Sequence, residues 1–575
     1  MIAAVTAALP RNEHVADQFD LLADLMELDG ADSFRISAYR KAAQRIRETP
    51  GPVAQMALDG RAKGLQGIGK TIEGKIVEIV EDGEIHALTK KKATVPSELA
   101  AFMRLPGLGP KTARRIWEEL GITTVAGLRA AAEAQQLRGL SGLGARSEEK
   151  ILAALAKPAA EEGPRRALLG TTLPKLRAVV DVLAEHPAAD KVSVAGSARR
   201  YRETVRDLDI IATASDPSAL IDHFCSLRWV VEVAARGTTK ATVLSHEGLR
   251  FDLRVVPPES YGNLLQHFTG SKAHNVALRE AAVRRGLSVS EYGITEVESE
   301  QLHAFADEEE VYAFLGYDWI PPEMREGLGE LELARRAELP DLVELDDLRG
   351  DLHTHTTWSD GKDTLEEMVA RAAAKGYAYY AVCDHAQRLR GDRLAEQAAR
   401  IDELNDAVGS MRILKGIEVN IRGDGALDVA DEDLATRDWV VASVHHGFDT
   451  DPTPRVLAAM DNPYVDCIGH VTNRKINKRA PSAIDIERVV EKALETGTFL
   501  EINSQPDRLD LTDVHARAAR EAGLKVVIDS DGHEVGALDF VEFGIGQARR
   551  AWLSKDDVLN TRPWREVERL RKRRS

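Results

Sequence analysis

The stretch Asp351-Leu-His-Thr-His-Thr-Thr-Trp-Ser-Asp-Gly361 sets two imidazoles and a carboxylate at a spacing suited to a metal ion. A strand alternates its faces, so His353 and His355 point the same way. The Ser-Asp-Gly that follows reads as a turn and brings Asp360 back toward them. The theme recurs downstream. Apolar runs at 378–385, 439–445 and 465–470 end on His385, His445 and His470. The run 413–419 carries Glu418, the run 499–503 ends polar, and the run 526–533 sets Asp531 and His533 two residues apart. A single histidine at a strand end is usually structural. Six of them, together with Asp360, Glu418 and Asp531, point to a polynuclear metal site. Imidazole-rich ligation suits Zn, Mn or Fe better than Mg. Clustered divalent cations lower the pKa of bound water and neutralise a phosphodiester under attack. His446 reads as an outward neighbour of the site. Arg388, Asn503 and Arg508 are groups that could orient a phosphate.

Positioning these residues takes a particular architecture. From Leu348 onward, strand-like runs alternate with helical stretches such as 364–375 and 484–495. Seven strands with ligand-type residues at their C-terminal ends describe a parallel β/α barrel with its site on the usual face.

A second set of chemistry-bearing residues lies upstream. Residues 191–211 read as strand, Gly-Ser turn and strand, and Asp207 and Asp209 share one strand face. The run 248–256 puts Asp252 mid-strand among apolar neighbours. Carboxylates inside apolar strands are costly unless paired or metal-bound. Three of them fit a two-metal phosphoryl-transfer site, one ion activating a 3′-hydroxyl and the other holding a triphosphate. The segment 319–330, followed by Leu339-Pro-Asp, reads as a connection into the barrel.

The N-terminal third holds a twelve-residue repeat at 65–76, 105–116 and 140–151. Each copy reads Leu-x-Gly-(Ile/Leu)-Gly, then six residues ending in a basic one, then Ile. The glycines permit a tight turn whose backbone amides, with the helix start that follows, can face an anion. A Pro-, Gly- and acid-containing stretch, 157–166, separates this region from the rest as a linker.

At 575 residues the chain is long enough for three or four domains. Its net charge of −17 argues against indiscriminate polyanion binding. The charge is uneven. Residues 1–150 hold 21 Lys+Arg against 20 Asp+Glu, so the whole acidic excess lies in the remainder, where metal-bound carboxylates can still meet nucleic acid. Cys225, Cys383 and Cys467 lack CxxC spacing and read as structural thiols in a reducing cytoplasm. The apolar run 2–9 is too short for a signal peptide, and no stretch approaches a membrane span.

These motifs carry resemblances. The repeat resembles the helix-hairpin-helix motif, which grips DNA backbone phosphates; Gly67, Gly69, Gly107, Gly109, Gly142 and Gly144 would form the gripping turns. With the amphipathic stretch 33–46, the first copy resembles the small N-terminal domain of DNA polymerase beta. In that family the lysine equivalent to Lys75 can form a Schiff base with an abasic sugar; a phosphate-contacting surface lysine is the preferred reading here. The Gly-Ser turn, two arginines and Asp-x-Asp pair resemble the nucleotidyltransferase palm of family X DNA polymerases. The resemblance assigns Asp207, Asp209 and Asp252 to catalysis with Mg or Mn. It sets Gly196, Ser197 and Arg200 against the triphosphate, Phe268 and Gly270 at the sugar, and Asn275 toward the base, with Arg279 on the same helix. The family usually has glycine in place of Tyr201 and Arg206, and tyrosine in place of His267. The barrel resembles the PHP (polymerase and histidinol phosphatase) domain. This implies a trinuclear cluster held by His353, His355, Asp360, His385, Glu418, His445, His470, Asp531 and His533.

In this order the parts resemble bacterial family X DNA polymerases. The resemblance implies a multidomain fold: an all-α helix-hairpin-helix region, an α+β nucleotidyltransferase palm and a C-terminal (β/α)7-type PHP barrel. The expected boundaries are 1–92, 93–157, 167–335 (palm and thumb-like) and 345–575. The implied function is DNA repair by gap-filling synthesis and 3′–5′ exonucleolysis, extending to abasic sites. The expected partners are gapped, nicked or 3′-ended DNA and deoxynucleoside triphosphates, with no membrane. The expected state is a monomer in the bacterial cytoplasm, nucleoid-associated when bound to DNA. A DNA-end nuclease with a palm weakened by Tyr201, Arg206 and His267 is the alternative. A small-molecule phosphatase leaves the repeats without a purpose, and a non-catalytic DNA-binding scaffold leaves both ligand sets idle.

Overall fold

The structure, a computed structural model, describes every residue except 1–8, 48, 50, 66, 104, 106, 107, 141, 142, 157–165, 390, 410 and 573–575. Gly107, Gly142 and nearly all of the expected linker therefore lie outside the described residues. The chain forms two compact units, Met1–Arg165 and Arg166–Ser575.

The first unit is helical. Gly69 and Gly109 each lie directly before a helix, Lys70–Asp82 and Pro110–Leu120, and Gly144 precedes Ala145–Ala156. Gly67 adopts φ +85°, a conformation that favours glycine. The closing isoleucines of the three repeats, Ile76, Ile116 and Ile151, are fully buried in one core with Phe19, Leu22 and Phe102. The first and third repeats share a further device. Glu73 accepts from the Lys63 amide (2.9 Å) and Glu148 from the Arg138 amide (3.0 Å), so each helix start is tied to the residue ten positions back.

The second unit begins with β1 (Ala167–Leu168), which pairs with β3 (Thr204–Val205). The palm sheet contains β2 (Ala189–Val194), β4 (Asp207–Ala214), β5 (Val230–Arg236), β6 (Lys240–Ser245) and β7 (Arg250–Val256), in the order β2-β4-β7-β6-β5. β4 and β7 run parallel, with Asp209 opposite Asp252. The expected Gly-Ser turn is the first turn of a short helix, Gly196–Arg199. A small antiparallel sheet, β8 (Leu287–Ser290), β9 (Gly293–Glu296) and β10 (Leu302–His303), follows.

The last part is a seven-stranded, wholly parallel barrel: β11 (Gly350–Thr354), β12 (Tyr379–Val382), β13 (Arg412–Asn420), β14 (Trp439–Ser443), β15 (Cys467–Ile468), β16 (Phe499–Asn503) and β17 (Val526–Asp529). Its seam is drawn together by a bridge between Thr354 and Gly532 and by the His355 amide donating to Gly532 O (2.8 Å). Strands buried on both faces read as continuous apolar runs, as here. The surrounding helices bury one stripe each. Leu365–Ala374 buries Leu365, Met368, Val369 and Ala372, and Thr364 with Glu367 closes a capping box at its start. Burial of each Leu, Met or Val side chain contributes roughly 2 kcal/mol.

The segment read as a connection, 319–330, carries buried ion pairs. Arg325 is wholly buried, with its guanidinium on Glu308 and its Nε donating to Ile320 O (2.8 Å). Glu326 takes Arg200 at 3.0 Å and Arg550 at 2.7 Å. Its linker-like composition conceals this, because those charges are cancelled by residues distant in the chain. Palm and barrel also share apolar core: Leu509 and Phe543 pack with Leu169, Leu173 and Leu208.

Candidate functional site

At the C-terminal end of the barrel, the strands deliver the expected donors to one place. A register shift in β11 between Asp351 and Thr354 re-aims the strand, and His353 and His355 then project together, ring centroids 5.1 Å apart. Asp360 arrives through its turn as expected, and a buried carboxylate explains how. Asp384 accepts from the Thr356 amide (2.8 Å), Ser359 Oγ (2.5 Å) and Gln397 Nε2 (2.7 Å), fixing the turn from inside. Glu418 lies at the centre. Its carboxylate is 2.8 Å from His385 Nδ1, 3.2 Å from His470 Nε2, 3.4 Å from His445 Nε2 and 3.6 Å from His353 Nε2. Asp531 lies 3.2 Å from His355 Nε2, and Asp360 lies 3.5 Å from both His385 and His533. Among the described residues, three overlapping groups have donor atoms within 4.8 Å of one another: His355, Asp360, His385 and His533; His353, His355 and Glu418; and His385, Glu418 and His445.

The electrostatics suit cations. Burial opposes protonation of His385, yet Glu418 and Asp360 prevail and raise it to about 10. Burial and the neighbouring imidazole of His533 push His355 down to about 3, and burial with the Arg508 charge does the same to His470. His385 and His533 hold Asp360 well below the usual carboxylate range. His353 Nε2, both ring nitrogens of His355 and Glu418 Oε1 are buried without a hydrogen-bond partner. Buried polar atoms are normally paired. Orphans that are all nitrogen or carboxylate donors, gathered at one point, fit divalent metal ions.

The orienting groups behind these donors are what sequence reasoning missed. His353 Nδ1 donates to Glu501 Oε1 (2.6 Å), and Glu501 Oε2 accepts from the His470 amide (2.5 Å). His445 Nδ1 donates to Asn420 Oδ1 (2.5 Å), and His470 Nδ1 is 3.1 Å from Asn473 Oδ1. Glu501 had a legible signal, a lone carboxylate inside the apolar run 499–503. Of the suggested phosphate-orienting groups, Asn503 is committed to Asp531 (2.9 Å), Arg388 is exposed, and Arg508 lies 3.7 Å from Asp531. His446 is exposed, as expected of an outward neighbour.

In the palm, Asp207, Asp209 and Asp252 gather on the adjacent strands β4 and β7. Burial, then Asp252 and Asp207, raise Asp209 to about 6. Such a trio needs positive charge. Arg206 Nε donates to Asp207 (3.0 Å) and Arg250 Nε to Asp252 (2.9 Å), while Thr242 donates to Asp252. The carboxylate oxygens suit Mg or Mn. Gly196 is required by contact: at φ +66°, a Cβ there would fall 2.0 Å from Asp209 Oδ2.

Several of the expected nucleotide-binding residues have partners of their own. Arg200 pairs with Glu326 and donates to Thr269 O (2.6 Å). Asn275 Nδ2 donates back to His267 O (2.7 Å), and Arg279 Nη2 lies 3.1 Å from His267 Nδ1. Arg254 stacks on Phe268 at 4.5 Å. Ser197 is on the helix Gly196–Arg199, and a Cβ at Gly270 would meet Asn275 Oδ1 at 2.5 Å. The unusual residues have physical roles. Tyr201 accepts φ +53° and packs its ring against Gly546 of the barrel, with its hydroxyl donating to Glu542 (2.6 Å). The His267 ring lies tilted beside that of Phe268, 5.3 Å between centroids, and Arg206 caps Asp207. Lys75 is partly buried on the helix Lys70–Asp82 of the first unit.

Comparison with known proteins agrees with this geometry. Residues 10–85 match a helix-hairpin-helix domain, 99–157 a SAM-like helix-hairpin-helix tandem, 264–326 the DNA polymerase beta thumb and 351–505 the PHP domain. The chain is 39% identical over 565 residues to the "DNA polymerase/3'-5' exonuclease PolX" of Bacillus subtilis (strain 168), covering 96% of this chain and 98% of that one. A "Probable phosphatase" of Acetivibrio thermocellus is 33% identical over 33% of this chain and 83% of its own. A probable phosphatase of Thermoanaerobacter sp. (strain X514) is 32% identical over 37% of this chain and 89% of its own. The chain therefore belongs to the PolX family of bacterial family X DNA polymerases.

Proposed function

We propose that this protein is a DNA repair enzyme with two active sites, a gap-filling DNA polymerase in the palm and a 3′–5′ exonuclease in the barrel. One observation carries the reading: a single compact unit holds both a carboxylate trio on β4 and β7 and a nitrogen- and carboxylate-rich donor cluster at the barrel mouth.

In the palm, Asp207, Asp209 and Asp252 would hold Mg or Mn, which supplies Lewis acidity at the triphosphate and the attacking 3′-hydroxyl. Gly196 lets the backbone pass close to Asp209. Ser197 and Arg200 face the triphosphate, Phe268 and Gly270 form the sugar wall, and Asn275 and Arg279 flank the base. For nucleotide to enter, Arg206 and Arg250 must release the carboxylates they cover.

In the barrel, His353, His355, Asp360, His385, Glu418, His445, His470, Asp531 and His533 would hold three ions of Zn, Mn or Fe. When bound, these lower the pKa of water and neutralise the phosphodiester. Glu501, Asn420 and Asn473 fix the histidine rings that face them, so the donors are set before the substrate arrives.

The repeat segments that contain Gly67, Gly69, Gly109 and Gly144, and with them the repeat positions Gly107 and Gly142, would grip the backbone of gapped, nicked or 3′-ended DNA. Lys75 serves there as a phosphate contact, with a lyase role at abasic sites as the second reading. The domains run 1–92, 93–157, 167–335 and 345–575, in a monomer that works on nucleoid DNA in the cytoplasm. A phosphatase reading covers the barrel only and leaves the helical repeats without a purpose. The test is primer extension and 3′-end degradation on gapped DNA with Mg, Mn or Zn. Extension by wild type and none by Asp207→Ala supports the polymerase; degradation without any extension leaves only the nuclease.

A further inference from the structure

We infer that Arg508, flanked by Lys475 and Arg479, grips the substrate phosphate at the barrel site, and that the palm holds this grip in place. The inference rests on the nuclease reading of the barrel.

Arg508 lies on the loop after β16 with its side chain 15% exposed, and its Nε is 3.7 Å from Asp531 Oδ2. Its Nη1 is buried and has no hydrogen-bond partner. A guanidinium withdrawn from water at that cost needs an acceptor for each buried N–H. The planar fork suits two oxygens of one phosphate. A phosphodiester seated at the donor cluster would bring such oxygens beside Arg508.

The loop after β15 adds two cations. Lys475 Nζ is held by Asp507 at 2.8 Å. The Arg479 guanidinium sits over the Phe448 ring at 3.9 Å while its Nε donates to Asn473 O (2.8 Å), the residue that meets His470.

Both loops have a second face on the palm. A Cβ at Gly170, in the palm helix Leu169–Ala184, would fall 2.4 Å from Pro506 Cβ, two residues before Arg508. Leu509 belongs to the palm core. Arg474 donates to Leu509 O (2.5 Å) and pairs with Glu203 of the palm at 2.7 Å. Asn477 donates to Arg166 O (2.8 Å), and the Ile476 amide donates to Asp507 O (2.7 Å), joining one loop to the other. The grip is thus wedged between the donor cluster and the palm, and its position depends on both.

The test uses the full chain. Exonuclease KM and kcat are measured with Mn on a single-stranded oligonucleotide. The affinity of metal-stripped protein for a phosphorothioate dinucleotide, too short for the helical repeats, is measured by calorimetry. Metal content and thermal unfolding check integrity. Arg508→Gln should raise KM about tenfold and weaken dinucleotide binding by a similar factor, with metal content unchanged and Arg508→Lys restoring part of both. Gly170→Ala should raise KM about threefold at unchanged metal content. If Arg508→Gln loses metal and kcat while KM and dinucleotide affinity stay at wild type, Arg508 merely supports Asp531 and the grip is rejected. A wild-type KM in Gly170→Ala rejects the palm's part. Failure of the wild-type chain to degrade any 3′ end would reject the nuclease reading instead, and the calorimetric comparison would still decide the grip.

Discussion

At the scale of residues, each site is set by groups that do no chemistry themselves. Gly196 is one: a methyl at φ +66° would meet Asp209 Oδ2 at 2.0 Å. Gly196→Ala should therefore reduce primer extension at least a hundredfold, roughly 3 kcal/mol of transition-state stabilisation, while 3′-end degradation stays at wild type. Glu501 is another. With a carboxylate 2.6 Å from Nδ1, His353 is fixed in ring orientation and tautomer. Glu501→Gln should weaken metal affinity of the barrel by about 10- to 100-fold, read by metal titration of the stripped protein. The nine residues gathered at the barrel mouth could be picked out in the sequence because strand period two, apolar runs and, for Asp360, a turn mark them without knowledge of tertiary contacts. Glu501 was legible in principle, as a charge inside an apolar strand. Asn420 and Asn473 were not, because an asparagine near a strand end reads as a turn residue until its histidine partner is known.

At the scale of elements, the barrel was readable because parallel strands buried on both faces leave continuous apolar runs. The palm–barrel interface was not. Its central ions, Arg200, Glu326 and Arg550, are separated by more than a hundred residues each, and no local pattern records such a pairing. Burial alone would raise Glu326, but Arg550, Arg200 and Arg202 overcome it and hold it at about 2. Its folded value lies below its unfolded one, so its stabilisation is complete above about 4.5 and is lost as pH falls toward 2. Glu326→Gln should cost the second unit about 3 kcal/mol at pH 7, and that difference from wild type should vanish in acid. Equal denaturant midpoints for the two proteins at pH 7 would show that the interface draws its stability elsewhere. Tyr201 belongs to the same interface. The sequence marks it as a departure that threatens nucleotide binding; the structure shows it as the ring that packs on Gly546 and bonds Glu542.

At the scale of the whole molecule, the palm and barrel form one unit, while the helical repeats form another. Two chemistries with separate donor sets should fail separately. The direct test measures gap filling and 3′-end degradation side by side on gapped DNA for wild type, His353→Ala and Asp209→Ala. Independence of the two sites predicts that His353→Ala loses degradation and keeps extension, and that Asp209→Ala does the reverse. Loss of both activities from either single substitution would contradict it.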